Sequence, residues 1–202
     1  MLRIPTSTLH QLAAQAPKTH ELGGHFRVRA DGTLSDTVLF EGEQCRNDVG
    51  QRISGAAQCR IHKPDAEISF HTHPKSNRPS SADMRNAVLK HPAVSGRGKR
   101  RLSLVLGPRG VWWYAPSPGM RRAWRARLRR GDKSFVKGAM RQWSKTGNRY
   151  VRGGGPPENE DPHGFSRFMR AQGMHIRYVA YADLPARGTL VIPPGGAKYY
   201  FV

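Results

Sequence analysis

Acidic side chains are scarce in this chain. Against 34 Lys and Arg there are only 14 Asp and Glu, which leaves a formal charge of +20 over 202 residues and a pI near 11.1. Such a surface attracts polyanions, whether nucleic acid, acidic lipid headgroups or acidic protein. Cysteine is almost missing: Cys45 and Cys59 are the two present, and they lack the short C-x-x-C spacing of a zinc knuckle. Free thiols in a reducing compartment are the expectation. No apolar run approaches the roughly 18–20 residues needed to span a bilayer, so no membrane partner is expected. The opening stretch MLRIPTSTLHQLAAQAP is broken by prolines and polar residues and does not read as a signal peptide. The expected location is therefore intracellular, cytoplasmic or nuclear, or inside a virion. No internal repeat is visible, and no zinc-finger, helix-turn-helix or RNA-recognition signature accompanies the charge.

What is there begins with strand and helix periodicities. Thr6 to Gln15 places Leu9, Leu12 and Ala13 at helical spacing, with Thr6 or Ser7 as the expected cap and Pro17 beyond its end. Glu21 to Arg29 and Thr33 to Phe40 read as two strands joined at Asp31-Gly32, a hairpin signal. Residues 42–65 form a long polar connection with Arg46, Arg52, Arg60 and Lys63 along it. Arg101 to Leu106 and Val111 to Ala115 make a second hairpin around Pro108-Arg109-Gly110.

Between the hairpins lies the stretch with the most chemistry in it, Ile68 to Val88. Side chains alternate along a strand, so His71 and His73 share a face while Thr72 points away. Pro74 cannot donate to a sheet ladder and is a natural strand end. Ser80-Ser81-Ala82-Asp83 then opens a helix, which brings the Asp83 carboxylate back towards the imidazoles. Two His nitrogens and a carboxylate oxygen are a three-ligand set that leaves a fourth position open, as in catalytic zinc sites. A plainer reading is available: a polar rim pair of histidines, and a Ser80–Asp83 capping box. The two are compatible, since a cap would hold Asp83 in place.

HTHP followed by S-x-x-D resembles the signature of the JAMM (MPN+) metallopeptidases, which include deubiquitinating isopeptidases, proteases that trim ubiquitin-like carriers, and JAB-type domains of phage tail proteins. Six residues separate His73 from Ser80, where the family usually has seven. The resemblance implies an α/β fold of the MPN/JAB (cytidine-deaminase-like) kind, a mixed β-sheet flanked by helices. It implies that His71, His73 and Asp83 bind Zn2+, that Glu21 is the general base and proton shuttle, and that Ser80 donates to the oxyanion. Glu21-Leu22-Gly23-Gly24-His25-Phe26 matches the family's glutamate position at the start of a strand; Glu41 and Glu43 are rivals. The substrate implied is a protein or peptide, with a ubiquitin-like protein as one candidate. Residues 42–65 occupy the place of a variable insertion near the substrate groove. The second insertion of ubiquitin-cleaving relatives is reduced here to about ten residues, an ordinary loop length, which weakens that particular reading.

The chain changes character near Pro116. Residues 1–115 hold 17 Lys and Arg against 9 acids, and residues 116–202 hold 17 against 5. A domain over 1–115 with a basic, partly helical extension over 116–202 is the expected organisation. Pro118 to Arg130 carries Met120, Trp124 and Leu128 as a narrow apolar stripe on an otherwise cationic helix. Arg121, Arg122, Arg125 and Arg129 are its candidate polyanion contacts, with non-specific nucleic acid as the partner. Ser134 to Ser144 continues the helical theme, 150–162 reads as a Gly/Pro linker, and His163 to Gly173 as a last helix. Ile176 to Ala182, Thr189 to Ile192 and the final KYYFV are apolar enough for strands. Two functions follow: a zinc-dependent peptidase or isopeptidase, and alternatively a nucleic-acid-binding structural or packaging protein of a virus or phage built on the same fold.

Overall fold

The computed structural model describes residues 1–16, 21–41, 67–74, 76–96, 101–150, 160–193 and 199–202. The connection 42–65, with Cys45, Cys59 and Glu43, lies outside them. Strand β1 (Leu2–Pro5) leads directly into helix α1 (Thr6–Gln15). The N-cap of α1 is Pro5, with no side-chain cap, rather than Thr6 or Ser7. Thr6 is instead drawn inward, where its hydroxyl donates to the Gly188 carbonyl at 3.1 Å.

The main sheet grows from the first hairpin. β2 (Leu22–Val28) and β3 (Leu34–Glu41) pair antiparallel. Their turn is closed by Gly32 at φ 87°, a conformation open to glycine without strain, and by Asp31, which accepts from the Thr33 amide at 2.8 Å. β4 (Ile68–Thr72) lies antiparallel to β2 and parallel to β5 (Leu102–Leu106). A parallel pair needs a crossover, and helices α2 (Ser81–Leu89) and α3 (Pro92–Ser95) supply it. β6 (Gly110–Pro116) returns antiparallel to β5. Helices α4 (Pro118–Arg129), α5 (Ser134–Tyr150) and α6 (Pro162–Ala171) then lead to β7 (Met174–Ala180), antiparallel to β6. The order is β3-β2-β4-β5-β6-β7. β8 (Thr189–Ile192) and β9 (Tyr200–Phe201) join β1 in a three-stranded sheet, order β1-β8-β9.

This is a mixed α/β fold, as the sequence predicts. The expected boundary at 115/116 does not divide it. β7 supplies a full strand of the main sheet and β8 pairs with β1, so the second segment completes the first. Its physical reason is the apolar content of 174–180, which finds a seven-residue partner in β6.

Alternation along β6 sorts the core into two layers. Val111, Trp113 and Ala115 pack with Leu9 and Leu12 of α1 and with Ile4, Leu190 and Ile192 of the small sheet. Trp112 and Tyr114 point the other way, into Met84 and Val88 of α2, Trp124 of α4, Trp143 of α5 and Phe165 of α6. Each buried indole removes roughly 150–250 Å² from water, a gross gain of roughly 4–6 kcal/mol, so neighbouring residues anchor opposite layers. Ile68 and Phe70 of β4 belong to the first layer. Ser69 and His71 must therefore face the helical layer, where α2 lies. Phe70 needs one further accommodation: a Cβ on Gly24 would stand 2.6 Å from its ring and 2.1 Å from the Val38 carbonyl oxygen, so only glycine fits there.

Candidate metal centre

His71 is the penultimate residue of β4, on the face covered by α2, and His73 follows just past the strand end, its amide donating to the Leu106 carbonyl at 2.8 Å. That bond extends the parallel pairing with β5 past the strand end and fixes where His73 projects. Asp83 sits in the first turn of α2. Ser80 is its N-cap, and the capping box is complete: the Asp83 amide donates to Ser80 Oγ at 3.1 Å and the Ser80 amide to Asp83 Oδ2 at 2.9 Å. The Ser80 hydroxyl donates to Asp83 Oδ2 at 2.6 Å. In this arrangement Ser80 orients the carboxylate. The capping reading and the ligand reading thus coexist.

Three donors converge. His71 Nε2 and His73 Nε2 are 3.0 Å apart, and each is 3.2 Å from an oxygen of Asp83. All three side chains are buried. A tetrahedral ion with bonds of about 2.0–2.1 Å would hold its ligands about 3.3–3.4 Å apart, so the spacing fits one small divalent cation. The tautomer fits too. His73 Nδ1 donates to the Arg78 carbonyl at 2.8 Å, which turns the Nε2 lone pair inward, the usual outer-shell arrangement of a ligating imidazole. The group could hold a metal ion.

Glu21 is buried beside it, with Oε1 3.7 Å from His73 Nε2. Its position follows from strand pairing: Gly23 faces His71 across β2 and β4, and the Leu22 amide donates to Thr72 Oγ1 at 2.8 Å. Of the rival acids, Glu41 closes β3 with its backbone opposite Leu22, and Glu43 lies outside the described residues.

The electrostatics are those of coupled charges in a buried site. Burial opposes charge on both Asp83 and His73. The imidazoles of His71 and His73 nevertheless hold Asp83 well below the usual carboxylate range. The Asp83 carboxylate, with Glu21 behind it, lifts His73 above the ordinary histidine value. The site is built for positive charge, which a proton supplies and a cation can replace.

Residues 76–80 between the candidate ligands are tied down by partners distant in sequence. Asn77 is buried; its Nδ2 donates to Glu160 Oε2 at 3.1 Å, and its Oδ1 accepts from the Arg109 amide at 3.2 Å. The Trp112 indole donates to the Asn77 carbonyl at 2.5 Å, and Arg109 pairs with Glu160 at 2.5 Å. Arg78 lies over the Phe165 ring and donates to Asn148 of α5. None of these supports was identified from the sequence. The signal within reach was Asn77 itself, a polar residue in a Pro-bounded loop beside two histidines.

The predicted polyanion contacts are separate from this site. Met120 and Trp124 of α4 are buried, while Arg122, Arg125 and Arg129 are exposed. Arg121 departs from them: it is half-buried, with Nη1 3.2 Å from His91 Nε2. Comparison with known protein families, curated proteins and solved structures finds no match to this chain.

Proposed function

We propose that the chain is a zinc-dependent peptidase or isopeptidase of the JAMM type. The observation that carries the reading is the meeting of His71, His73 and Asp83 at tetrahedral-ligand spacing with Glu21 3.7 Å from His73. His71 Nε2, His73 Nε2 and the Asp83 carboxylate would hold Zn2+. Bound there, the ion supplies Lewis acidity, polarising a carbonyl and lowering the pKa of water to about 7.

The chain's own groups do the rest. Glu21 takes the proton of the attacking water and returns it to the leaving amine nitrogen, so one carboxylate serves as base and then acid. Its burial keeps bulk water from competing for that proton. Ser80 holds Asp83 during binding, and as oxyanion donor its hydroxyl must swing from Asp83 to the substrate. Arg78, through its carbonyl, keeps His73 in the ligating tautomer. An unbiased peptide-cleavage screen on the zinc-loaded protein tests the reading. Cleavage that disappears on chelation supports it; an inert zinc-loaded protein across peptide and isopeptide libraries counts against it.

A second reading rests on α4. Its Arg122, Arg125 and Arg129 are exposed while Met120 and Trp124 of its apolar stripe are buried, which is the disposition a phosphate backbone requires. On this reading the fold serves as a nucleic-acid-associated structural or packaging component, and the two functions are compatible.

A further inference from the structure

The main sheet has two ends with different chemistry. The candidate ligands gather at the C-terminal end of β4, with His71 inside the strand and His73 and Asp83 beyond it. Ile68 begins that strand three residues before His71, roughly 10 Å away at the rise of an extended chain. There, Ile68 and Leu102, which start the two parallel strands, border a cavity of about 950 Å³. Sites for small organic ligands span about 300–1,000 Å³, so this cleft has room for such a molecule.

Its lining is divided. Leu2, Ile68, Leu102 and Ile192 are buried apolar residues and form an apolar wall. Arg29, Arg101 and Arg121 border the same space. Glu67 is the one acid on its lining among the described residues, and its carboxylate lies 3.4 Å from Arg101 Nε. Asp31, near Arg29, offsets part of that charge. Arg121 meets an imidazole, His91, at 3.2 Å. Burial, Arg121 and Arg101 together push the His91 pKa down to about 4, so at neutral pH it adds no charge of its own. An excess of guanidinium over carboxylate therefore faces a greasy wall.

Neither half alone explains the other. A free inorganic anion would leave the apolar wall uncovered, and a neutral hydrocarbon would leave the excess guanidinium charge without a counter-charge. We propose that this cavity binds an organic anion, its apolar body on Ile68, Leu102 and Ile192 and its phosphate or carboxylate head among Arg29, Arg101 and Arg121. Guanidiniums suit both heads because their donors match paired oxygens. The site is independent of the metal centre at the opposite end of the sheet.

Calorimetric titration of the full chain with octyl phosphate, octanoate, octanol and inorganic phosphate at about physiological ionic strength tests this. One equivalent of octyl phosphate or octanoate should bind at least ~10-fold more tightly than octanol or inorganic phosphate, the equivalent of one charge-assisted hydrogen bond. Whichever of the two binds more tightly identifies the head group. Arg121→Gln should lose ~10-fold. Arg29→Gln, on an exposed side chain, should lose several-fold without the folding risk of disturbing His91. Arg122→Gln, on α4 but away from the cavity, should bind as wild type, and so should His73→Ala. Failure of both amphiphiles to bind would overturn the proposal. So would equal losses in Arg122→Gln and Arg29→Gln, or binding of a single-stranded oligonucleotide alone with no effect of Arg29→Gln, since either shows a general cationic surface.

Discussion

At the scale of single residues, the account depends on a division of labour between ligands and base. Glu21 is near the three donors but outside the tight triangle they form. Glu21→Gln should therefore retain one zinc per chain and lose turnover, by about 10²-fold or more for a removed acid–base group. Metal analysis and cleavage rates on the same preparation check this, and a Glu21→Gln protein with full activity refutes the assignment. The raised pKa of His73 gives a second expectation. In the metal-free protein Asp83 and Glu21 hold a proton on His73 to higher pH than usual, and a cation must displace it. Zinc affinity should fall as pH is lowered, with proton release on binding and a dependence that continues above pH 6.5, the ordinary histidine value. A flat affinity profile from pH 6 to 8 would contradict it.

At the scale of elements, the loop and helix that carry the candidate ligands are held from elsewhere in the fold. Asn77 links residues 76–80 to Glu160, to Arg109 just before β6 and to β7. Asn77→Ala touches no ligand, yet it should weaken zinc binding by roughly 10–100-fold, as loss of an outer-shell support does, with little change in secondary structure. Unchanged affinity would mean that residues 76–80 hold their course without Asn77. Helix α3 gives a test at the other end of the crossover. His91 caps it by accepting from the Ala93 amide at 3.1 Å, and its folded pKa of about 4 lies below its ordinary 6.5. Between those values the unfolded chain binds the extra proton, so stability is lost as pH falls from about 6.5 towards 4. His91→Asn keeps a good cap without the titration. Its melting temperature should drop less than that of wild type between pH 7 and 4.5; equal drops would remove His91 from the account.

These elements also mark what the sequence made legible. The hairpin β2–β3, the strand end at His71–His73, the Ser80–Asp83 cap and helix α4 are all written in local periodicity and spacing, and each forms where it was expected. β1 was missed because four residues with Pro5 at their end show no alternation long enough to read; their partner, β8, is more than 180 residues away. The supports of Asn77 were missed for the same reason, since Glu160 is 83 positions distant. The short helix α3 is not legible for a related reason: His91-Pro92 signals both a helix end and a capped helix start.

At the scale of the whole molecule, charge and chemistry are distributed unevenly. The sheet's topology gathers the metal candidates at one end and an arginine-lined cavity at the other, and α4 turns exposed arginines outward. If those arginines bind a phosphate backbone, the logarithm of affinity for random duplex DNA should fall linearly with log salt, with a slope of about −0.9 per phosphate neutralised. Replacing Arg122, Arg125 and Arg129 with Ala should reduce that slope by about 2–3, and an unchanged slope would relocate the contact.

The central claim is that two histidines of a strand end and an aspartate of the following helix hold one divalent cation. Zinc stoichiometry of the purified chain and of His73→Ala measures it most directly. The account predicts one ion per chain in the wild type and its loss in the variant with the fold intact. A wild type that takes up no zinc, or a His73→Ala protein that binds it as tightly, would contradict it.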